Sequence, residues 1–379
     1  MRNKLLIALS PLALIAASCG AGAAGDSRKP AAADVVDAFK VEVLGTFDEP
    51  WAMALLPSGE ILVTEKAGTL RLRLADARVL TLPLPIKVDY GGQGGLGDIA
   101  LSPDFANDRT FYVSWAGAGP DDTRGAELGR GRILFLGETA LVENFETIWR
   151  QTPKVTGRGH YSHRIAFSPD GKYLFVASGE RQKFSPAQDL SVNLGKIVRL
   201  NLDGTPAPGN PFADKGGTSA EIWSYGHRNI LGLQFDAEGR LWDLEHGPAG
   251  GDELNLVKPG QNYGWPLVSD GDHYSGEKIP RHATRPDLAA PAISWNPVIA
   301  PGDFIFYSGR MWPEWKGQAL IAGLGSGGLV RVRIDGEKAI EEARYPLGNR
   351  IREIREAPDG SLYVLEDGKG GRLLRLSRK

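Results

Sequence analysis

The chain has 379 residues, of which 42% are hydrophobic and 24% are charged, which is the composition of a folded globular protein. Its formal net charge is only -2 and no stretch concentrates lysine and arginine, which argues against nucleic acid as a partner. The 49 glycines and 25 prolines follow no collagen-like period, so they predict many tight turns between short strands.

Residues 1–23 have the pattern of a secretory signal peptide, in which a short positive segment precedes an apolar run too short to span a bilayer. Cleavage before Cys19 would give a lipoprotein, and cleavage a few residues later would give an unanchored protein; the sequence leaves both open. Because Cys19 is the only cysteine, no disulfide framework is available. Residues 24–36 are small and polar enough to form a tether. We therefore expect a periplasmic protein whose only membrane contact would be a lipid at Cys19.

From residue 37 onward, the sequence repeats one strand-turn-strand motif. The turn is often Pro-Asp-Gly, in which Pro fixes φ, Asp bonds the local backbone and Gly accepts a positive φ. A third apolar strand follows each copy. Such a unit cannot bury both of its faces alone, whereas radial stacking of six units buries them all. The six copies lie around Met53, Ile99, Ile165, Leu233, Phe304 and Ile354.

The fourth strand of the last blade has to come from elsewhere, because too few residues follow Leu376. The alternating segment Phe39–Leu44 is the obvious donor. We therefore predict that residues 37–379 form an all-β, six-bladed β-propeller with four-stranded antiparallel blades, in which an N-terminal strand closes the ring. The alternative, an open β-sandwich with coincidental turns, is disfavoured by six recurrences.

Two loops that precede predicted strands carry polar side chains. Gly92–Gly97 fits the GxGxxG pattern, but it leads into a strand instead of a helix, which excludes a dinucleotide-binding fold. The loop retains one side-chain amide, Gln93. The second loop holds His160 and His163, and a histidine in such a loop can act as a general base because its pKa lies near neutrality.

Three further motifs favour anions or a cation. Arg228 and Asn229 suit a carboxylate ligand, although an arginine that only binds carbonyls between blades gives the same pattern. Arg350 and Arg352 share one face of a strand, so they point together at solvent or at an anion. The turn at 246–253 has paired carboxylates, which suit either calcium or a simple salt bridge.

Four of these five motifs, all but the acidic turn, lie at the entrance of a predicted innermost strand. In a propeller these loops meet at one mouth of the central channel. We expect a site there with one glutamine, one or two histidines, three cations and an asparagine.

The motifs have a counterpart in a known family over nearly the whole mature chain. The most specific are Gly-Gln-Gly-Gly-Leu at 92–96, Gly-Glu-Arg at 179–181, Glu-Ile-Trp-Ser-Tyr-Gly-His-Arg-Asn at 221–229, Glu-His-Gly-Pro-Ala-Gly-Gly-Asp-Glu-Leu-Asn at 245–255 and Asn-Tyr-Gly-Trp-Pro at 262–266. This set resembles the soluble quinoprotein glucose dehydrogenase and aldose sugar dehydrogenase family, also called the glucose/sorbosone dehydrogenase family.

The resemblance implies a periplasmic enzyme that holds pyrroloquinoline quinone (PQQ) and calcium at the propeller mouth. It would oxidise aldoses at the anomeric carbon to lactones, transfer a hydride to PQQ and pass electrons to a quinone or a redox protein. His160 would be the general base and Glu180 would orient it. The implied PQQ contacts are Gln93, Arg228, Asn229, Tyr274, Arg350 and Arg352. The implied calcium ligands are Gly247 and Pro248 at a catalytic ion and Glu253 and Tyr263 at a structural ion.

The chain departs from the family pattern at two places. The fifth-blade loop Gly323–Gly328 lacks the lysine that family members commonly have, a loss that would weaken PQQ about 10- to 100-fold. Ser162 and His163 replace a Gly-Gly pair and crowd the wall beside His160. The alternative function is therefore a carbohydrate-binding propeller that has lost PQQ. A lactonase would need several carboxylates at the channel floor, and the sequence offers no clear set.

Overall fold

The structure is a computed structural model that describes residues 38–379. The predicted signal peptide, the tether and Cys19 therefore lie outside the described residues. Within the described range, no helix is long and apolar enough to cross a membrane. The chain forms six four-stranded antiparallel sheets, as the repeat predicts.

Blades one to five each take four consecutive strands, and the sixth combines three strands with the first strand of the chain. The first three blades are β2–β5 (Pro50–Leu55, Ile61–Glu65, Thr69–Arg73, Val79–Leu82), β6–β9 (Leu96–Leu101, Thr110–Ala118, Arg124–Leu136, Thr139–Arg150) and β10–β13 (Ser162–Phe167, Tyr173–Ser178, Lys196–Asn201, Ile222–Tyr225). The fourth and fifth blades are β14–β17 (Ile230–Phe235, Leu241–Glu245, Asp252–Val257, Ile293–Trp295) and β18–β21 (Pro301–Phe306, Ala319–Gly323, Gly328–Asp335, Lys338–Pro346). The sixth blade is β22–β24 (Ile351–Glu356, Leu362–Glu366, Gly371–Ser377) with β1 (Lys40–Phe47).

Among residues 38–379, helical structure is confined to short connections. It comprises an α-helix at Phe105–Asp108 and 3₁₀ turns at Ser185–Gln188, Ala213–Lys215, Gly217–Glu221, His282–Thr284 and Pro313–Trp315.

The Pro-Asp-Gly turns work as the sequence predicts. In the third copy, the Asp170 carboxylate accepts a hydrogen bond from the Lys172 backbone N–H at 3.2 Å. Gly171 follows with φ +70°, and its N–H donates to the Ser168 carbonyl at 2.8 Å. Local bonding therefore closes the hairpin between β10 and β11.

Strand β1 pairs antiparallel with β24, from Lys40 opposite Ser377 to Phe47 opposite Gly371. This strand overlaps the predicted donor Phe39–Leu44 and extends three residues further. Phe39 itself precedes the strand and is buried against Trp312, with ring centroids 5.7 Å apart. The start of the described chain is thus fixed by hydrogen bonds and by an aromatic contact.

The hydrophobic core is divided into six main clusters, one between each pair of neighbouring blades. In the cluster between blades six and one, Met53 and Val63 pack with Leu365 and Leu373, all of them fully buried. Burying one such side chain contributes about 1.5–3 kcal/mol. Because every sheet is buried on both faces, the inner strands are almost continuously apolar.

The centre of the channel is filled by a charged group that we call the channel cluster: Arg164, Arg355, Asp98, Asp303 and Glu353. The Arg164 guanidinium lies 2.9 Å from a Glu353 oxygen and 3.1 Å from an Asp98 oxygen. Arg355 bonds to Glu353 at 2.6 Å and also to Asp303. Backbone contacts to Leu231, Gly302 and Met53 extend this network to all six blades.

Candidate functional site

A cavity of about 280 Å³ lies at one mouth of the channel, and every blade contributes to its wall. Four predicted cofactor contacts line it: Gln93, Asn229, Arg350 and Arg352. The structure therefore brings together loops that are up to about 260 residues apart in the sequence. Six other polar or aromatic residues share this wall and had no role predicted from the sequence: Glu49, Trp51, Lys66, Tyr161, His246 and Asp367.

His160 is held by Glu180, and neither residue lines this cavity, although the next residue in the chain, Tyr161, does. Its Nδ1 contacts Glu180 Oε1, and Oε2 of the same carboxylate accepts N–H groups of Lys183 at 2.5 Å and Phe184 at 2.6 Å. A carboxylate with these partners accepts the Nδ1 hydrogen, so the lone pair of the imidazole lies on Nε2. Nε2 has no protein partner among residues 38–379, and that nitrogen is available as a base.

The charges of this pair suit a base at neutral pH. Burial lowers the pKa of His160 below its usual 6.5, although the Glu180 hydrogen bond partly offsets it. Burial works to raise the pKa of Glu180, but the bonds from His160 and the Phe184 backbone outweigh it and the pKa is lowered. At pH 7 the pair is therefore a neutral imidazole on an ionised carboxylate.

Gln93 connects the glycine-rich loop to the histidine loop. Its side-chain Oε1 accepts the His160 backbone N–H at 2.7 Å, and its backbone N–H donates to the Arg158 carbonyl at 2.8 Å. Glycine is required at Gly92, because a Cβ there would lie 2.6 Å from that carbonyl and φ is +57°. Gln93 therefore positions His160, and its amide N–H groups remain for a ligand.

Arg228 and Asn229 are positioned by Glu245, whose Oε2 accepts both of their backbone N–H groups, at 2.7 and 3.3 Å. The Arg228 guanidinium donates to the His246 carbonyl at 3.0 Å and lies over the Trp265 ring at 5.2 Å. Its buried Nε has no partner. Arg228 thus binds a carbonyl, and in the described chain no carboxylate lies within ion-pair distance of it.

His227 forms the only histidine and carboxylate group of metal-binding size in the described part of the chain, with Asp243 and Glu245. Its Nδ1 lies 3.2 Å from an oxygen of each carboxylate. Burial would lower the pKa of His227, but Asp243 and Glu245 outweigh it and raise the pKa to about 9. His227 is therefore an imidazolium, which takes the place that a metal ion could occupy beside the two carboxylates. It stabilises Glu245, the residue that positions Arg228.

Arg350 and Arg352 point the same way, as predicted from their spacing, and both bind Asp367. Arg352 contacts Asp367 Oδ1 with Nε at 3.0 Å and with its terminal nitrogen at 2.8 Å, and Arg350 contacts Oδ2 at 2.9 Å. Asp367 follows the strand that pairs with β22. Only its place after an apolar strand could have indicated it in the sequence.

A second cavity, of about 10 Å³, adjoins the first at His246. All four predicted calcium residues line it: Gly247, Pro248, Glu253 and Tyr263. Its volume is that of a single water or ion. Burial and the carboxylates of Glu245 and Asp270 raise the pKa of Glu253 well above its usual value. A divalent cation would relieve this repulsion, so the residues present fit calcium.

Tyr274 lines neither cavity, and 78% of its side chain is exposed. Its implied contact with PQQ stays a prediction. The fifth blade contributes Leu324 to the wall, and no cation comes from its loop. Ser326 in that loop has a buried hydroxyl without a hydrogen-bond partner.

Comparisons with known proteins show the family to which the chain belongs. The family model for glucose/sorbosone dehydrogenase matches residues 47–375. An aldose sugar dehydrogenase of Escherichia coli, YliI, is 40% identical over 89% of this chain and 92% of its own length. The PQQ-bound structure of an aldose sugar dehydrogenase from Streptomyces coelicolor is 30% identical, covers 92% of this chain and 99% of its own, and has a TM-score of 0.73. Quinoprotein glucose dehydrogenase B of Acinetobacter calcoaceticus is 27% identical over 87% of this chain and 86% of its own length.

Proposed function

Because the chain belongs to the glucose/sorbosone dehydrogenase family, we propose that it is a PQQ-dependent dehydrogenase that oxidises aldose sugars at C1 to lactones. The observation that carries this proposal is His160, a neutral imidazole whose Nδ1 is bound by Glu180 and whose Nε2 is unpartnered. A base in that state can accept the proton of a sugar hydroxyl.

The cations and donors of the site fit a flat tricarboxylate such as PQQ. Within residues 38–379, Arg228 has no carboxylate partner, and Arg350 and Arg352 share one. The amide of Asn229 and the free N–H groups of Gln93 add neutral donors in the same cavity. Hydrogen bonds from charged donors to carboxylates are about twice as strong as neutral ones.

Each residue then has one role in the oxidation. When bound, PQQ supplies the quinone that accepts the C1 hydride, and calcium supplies a Lewis acid beside it. His160 Nε2 removes the proton of the C1 hydroxyl as that carbon–oxygen bond becomes the lactone carbonyl. Glu180 stabilises the imidazolium that forms, and Gln93 keeps the His160 backbone in place.

We propose that calcium binds at the small cavity, through the carbonyl oxygens and the carboxylate that line it. The resemblance to the family implies two ions, whereas Gly247, Pro248, Glu253 and Tyr263 border one space here. Titration of the apoprotein with calcium, followed by calorimetry, would give the number of ions. Glu253→Gln should remove one of them.

The test of the function is reconstitution. We expect dye-linked oxidation of aldoses only after PQQ and calcium are added, with lactone as the product. His160→Ala should retain PQQ binding and lose about 10²- to 10⁴-fold in kcat. Absence of activity across a panel of aldoses, together with absence of PQQ binding in an absorbance titration, would refute the proposal.

The alternative, a carbohydrate-binding propeller without cofactor, is favoured by one observation, the absence of a cation from the fifth-blade loop. It predicts that sugars bind to the apoprotein and that PQQ does not. The same absorbance titration therefore decides between the two functions.

We also propose that the protein acts in the periplasm and passes its electrons to a quinone or a redox protein. Cell fractionation tests the location. Transfer of the Cys19→Ser product from the membrane fraction to the soluble fraction would support a lipid anchor, and an unchanged soluble product would support simple cleavage.

A further inference from the structure

His163 lies in the wall of the 280 Å³ cavity at the channel mouth, three residues after the proposed base. It is 98% buried, and its ring stacks on Trp51 with centroids 5.1 Å apart and planes 14° apart. The Arg164 guanidinium lies 4.1 Å from the Trp51 ring. The ring position is therefore fixed by packing.

The backbone is strained to place this ring. Ser162 and His163 have φ values of +59° and +52°, in the left-handed region that favours glycine. Gly97 must also lack a side chain, because a Cβ there would lie 1.8 Å from the His163 ring. Strain of this kind is often associated with function.

The bonds of Ser114 determine the tautomer of His163. Ser114 Oγ lies 2.9 Å from the Asp98 N–H, 2.8 Å from the His163 carbonyl and 2.8 Å from His163 Nδ1. A carbonyl can only accept, so the single hydroxyl hydrogen points to the His163 carbonyl. The two lone pairs of the hydroxyl then accept from Asp98 and from Nδ1–H.

With hydrogen on Nδ1, the lone pair of His163 lies on Nε2. Burial and the nearby Arg164 charge lower the pKa of His163 to about 3, so the ring stays neutral at physiological pH. Nε2 has no hydrogen-bond partner in the described chain, and it is not fully enclosed by protein atoms. This leaves an acceptor that is reached from the cavity.

We propose that His163 Nε2 accepts a hydrogen bond from an O–H or N–H group of the ligand in the cavity, which makes His163 a ligand-binding residue. The inference rests on the proposed function and deepens it. The donor is either a hydroxyl of the aldose or an N–H of the bound cofactor, and the two sources give different kinetics.

His163→Phe is the main variant, because it retains a ring for Trp51 and removes the acceptor. If the donor is a sugar hydroxyl, we expect the preference for the aldose over one monodeoxy analogue to fall about tenfold, with PQQ affinity unchanged. If the donor belongs to the cofactor, the Kd for PQQ should rise about tenfold and the preference among sugars should not change. His163→Gln, which can still accept, should recover part of either loss.

Nitrogen NMR of histidine-labelled wild-type protein gives a readout independent of turnover and of the folding of any variant. The spectrum should show His163 with hydrogen on Nδ1, and Nε2 should move upfield on addition of PQQ or of aldose. A hydrogen on Nε2, or an Nε2 signal that neither ligand moves, would overturn the inference. An inactive wild type with a shifted Nε2 would refute the proposed function alone.

Discussion

The channel cluster and the cations at the mouth use the same residue types with different partners. In the channel cluster, Arg164 and Arg355 each contact the same three carboxylates. At the mouth, Arg350 and Arg352 share Asp367, and Arg228 binds a carbonyl. In the channel cluster three carboxylates surround two arginines, and a buried Asp303 oxygen has no hydrogen-bond partner in the described chain. At the mouth the cations outnumber the carboxylates, and the buried Arg228 Nε is a donor without a partner among the described residues. This difference separates a structural ion group from a site for an anionic ligand.

The comparison also bears on the lactonase alternative. The channel does hold several carboxylates, Asp98, Asp303 and Glu353, which the sequence analysis did not identify as a set. Two arginines each contact all three carboxylates, and Arg164 and the three carboxylates are almost fully buried. A metal would have to displace those arginines, so the set does not offer the open coordination that hydrolysis requires.

The largest effect is expected from breaking the channel cluster. Arg164→Met leaves three buried carboxylates with one arginine, and the free energy of unfolding should fall by about 3–5 kcal/mol. Denaturant unfolding of the apoprotein measures it. Arg333→Met, at an exposed pair with Glu342, is the matched control and should change stability little. A loss below about 1 kcal/mol at Arg164 would mean that the network does not hold the blades together.

The next effect concerns the base. Glu180→Gln should lower kcat about 100-fold or more, because the imidazolium loses its carboxylate. Activity of the wild type should rise with pH as His160 loses its proton, at a pKa below 6.5. Since Glu180 raises the pKa of His160, the variant should move this acid limb to still lower pH. A pH profile of kcat/KM with an unmoved limb would exclude His160 as the titrating base.

Arg228→Met should give the opposite pattern to Arg164→Met. Because Arg228 has one carbonyl acceptor and, among the described residues, a buried Nε without a partner, its removal should lower the stability of the apoprotein much less than Arg164→Met does. The affinity for PQQ should fall about 10- to 100-fold, since a charged hydrogen bond contributes about 1.5–3 kcal/mol. Thermal unfolding and absorbance titration test the two parts. Arg228→Lys retains the charge and should lose less affinity.

Most of the fold could be predicted from the sequence, because turn chemistry and apolar strands are local signals that repeat six times. A third strand follows each copy, as predicted, for example at Gly328–Asp335 and Gly371–Ser377. The outer strands such as Val79–Leu82 and Ile293–Trp295 were not located individually. They are short and partly exposed, so their hydrophobic pattern is weak.

The site was predictable where a motif carries it and not where partners come from other blades. Gln93, Asn229, Arg350 and Arg352 meet in one cavity, as the loop positions indicated. Glu245 and Asp367 have their roles because of the backbone and side-chain groups that face them in the folded protein. Residue spacing in the sequence does not indicate those groups. Ion pairs between blades depend on how the blades are arranged in the ring, and the repeated motif does not specify them.

The smallest expected effect on PQQ affinity distinguishes the two arginines that share Asp367 at the mouth. Arg350 has a 56% exposed side chain and one bond to Asp367, whereas Arg352 is 13% exposed and makes two. Exposed pairs contribute about 0.2–1 kcal/mol, so Arg350→Gln should weaken PQQ at most about fivefold, and added salt should reduce the difference further. Arg352→Gln should cost more affinity and be less sensitive to salt, because its environment is screened from water. Equal losses at both positions, measured by titration at two ionic strengths, would mean that burial does not set the strength of these contacts.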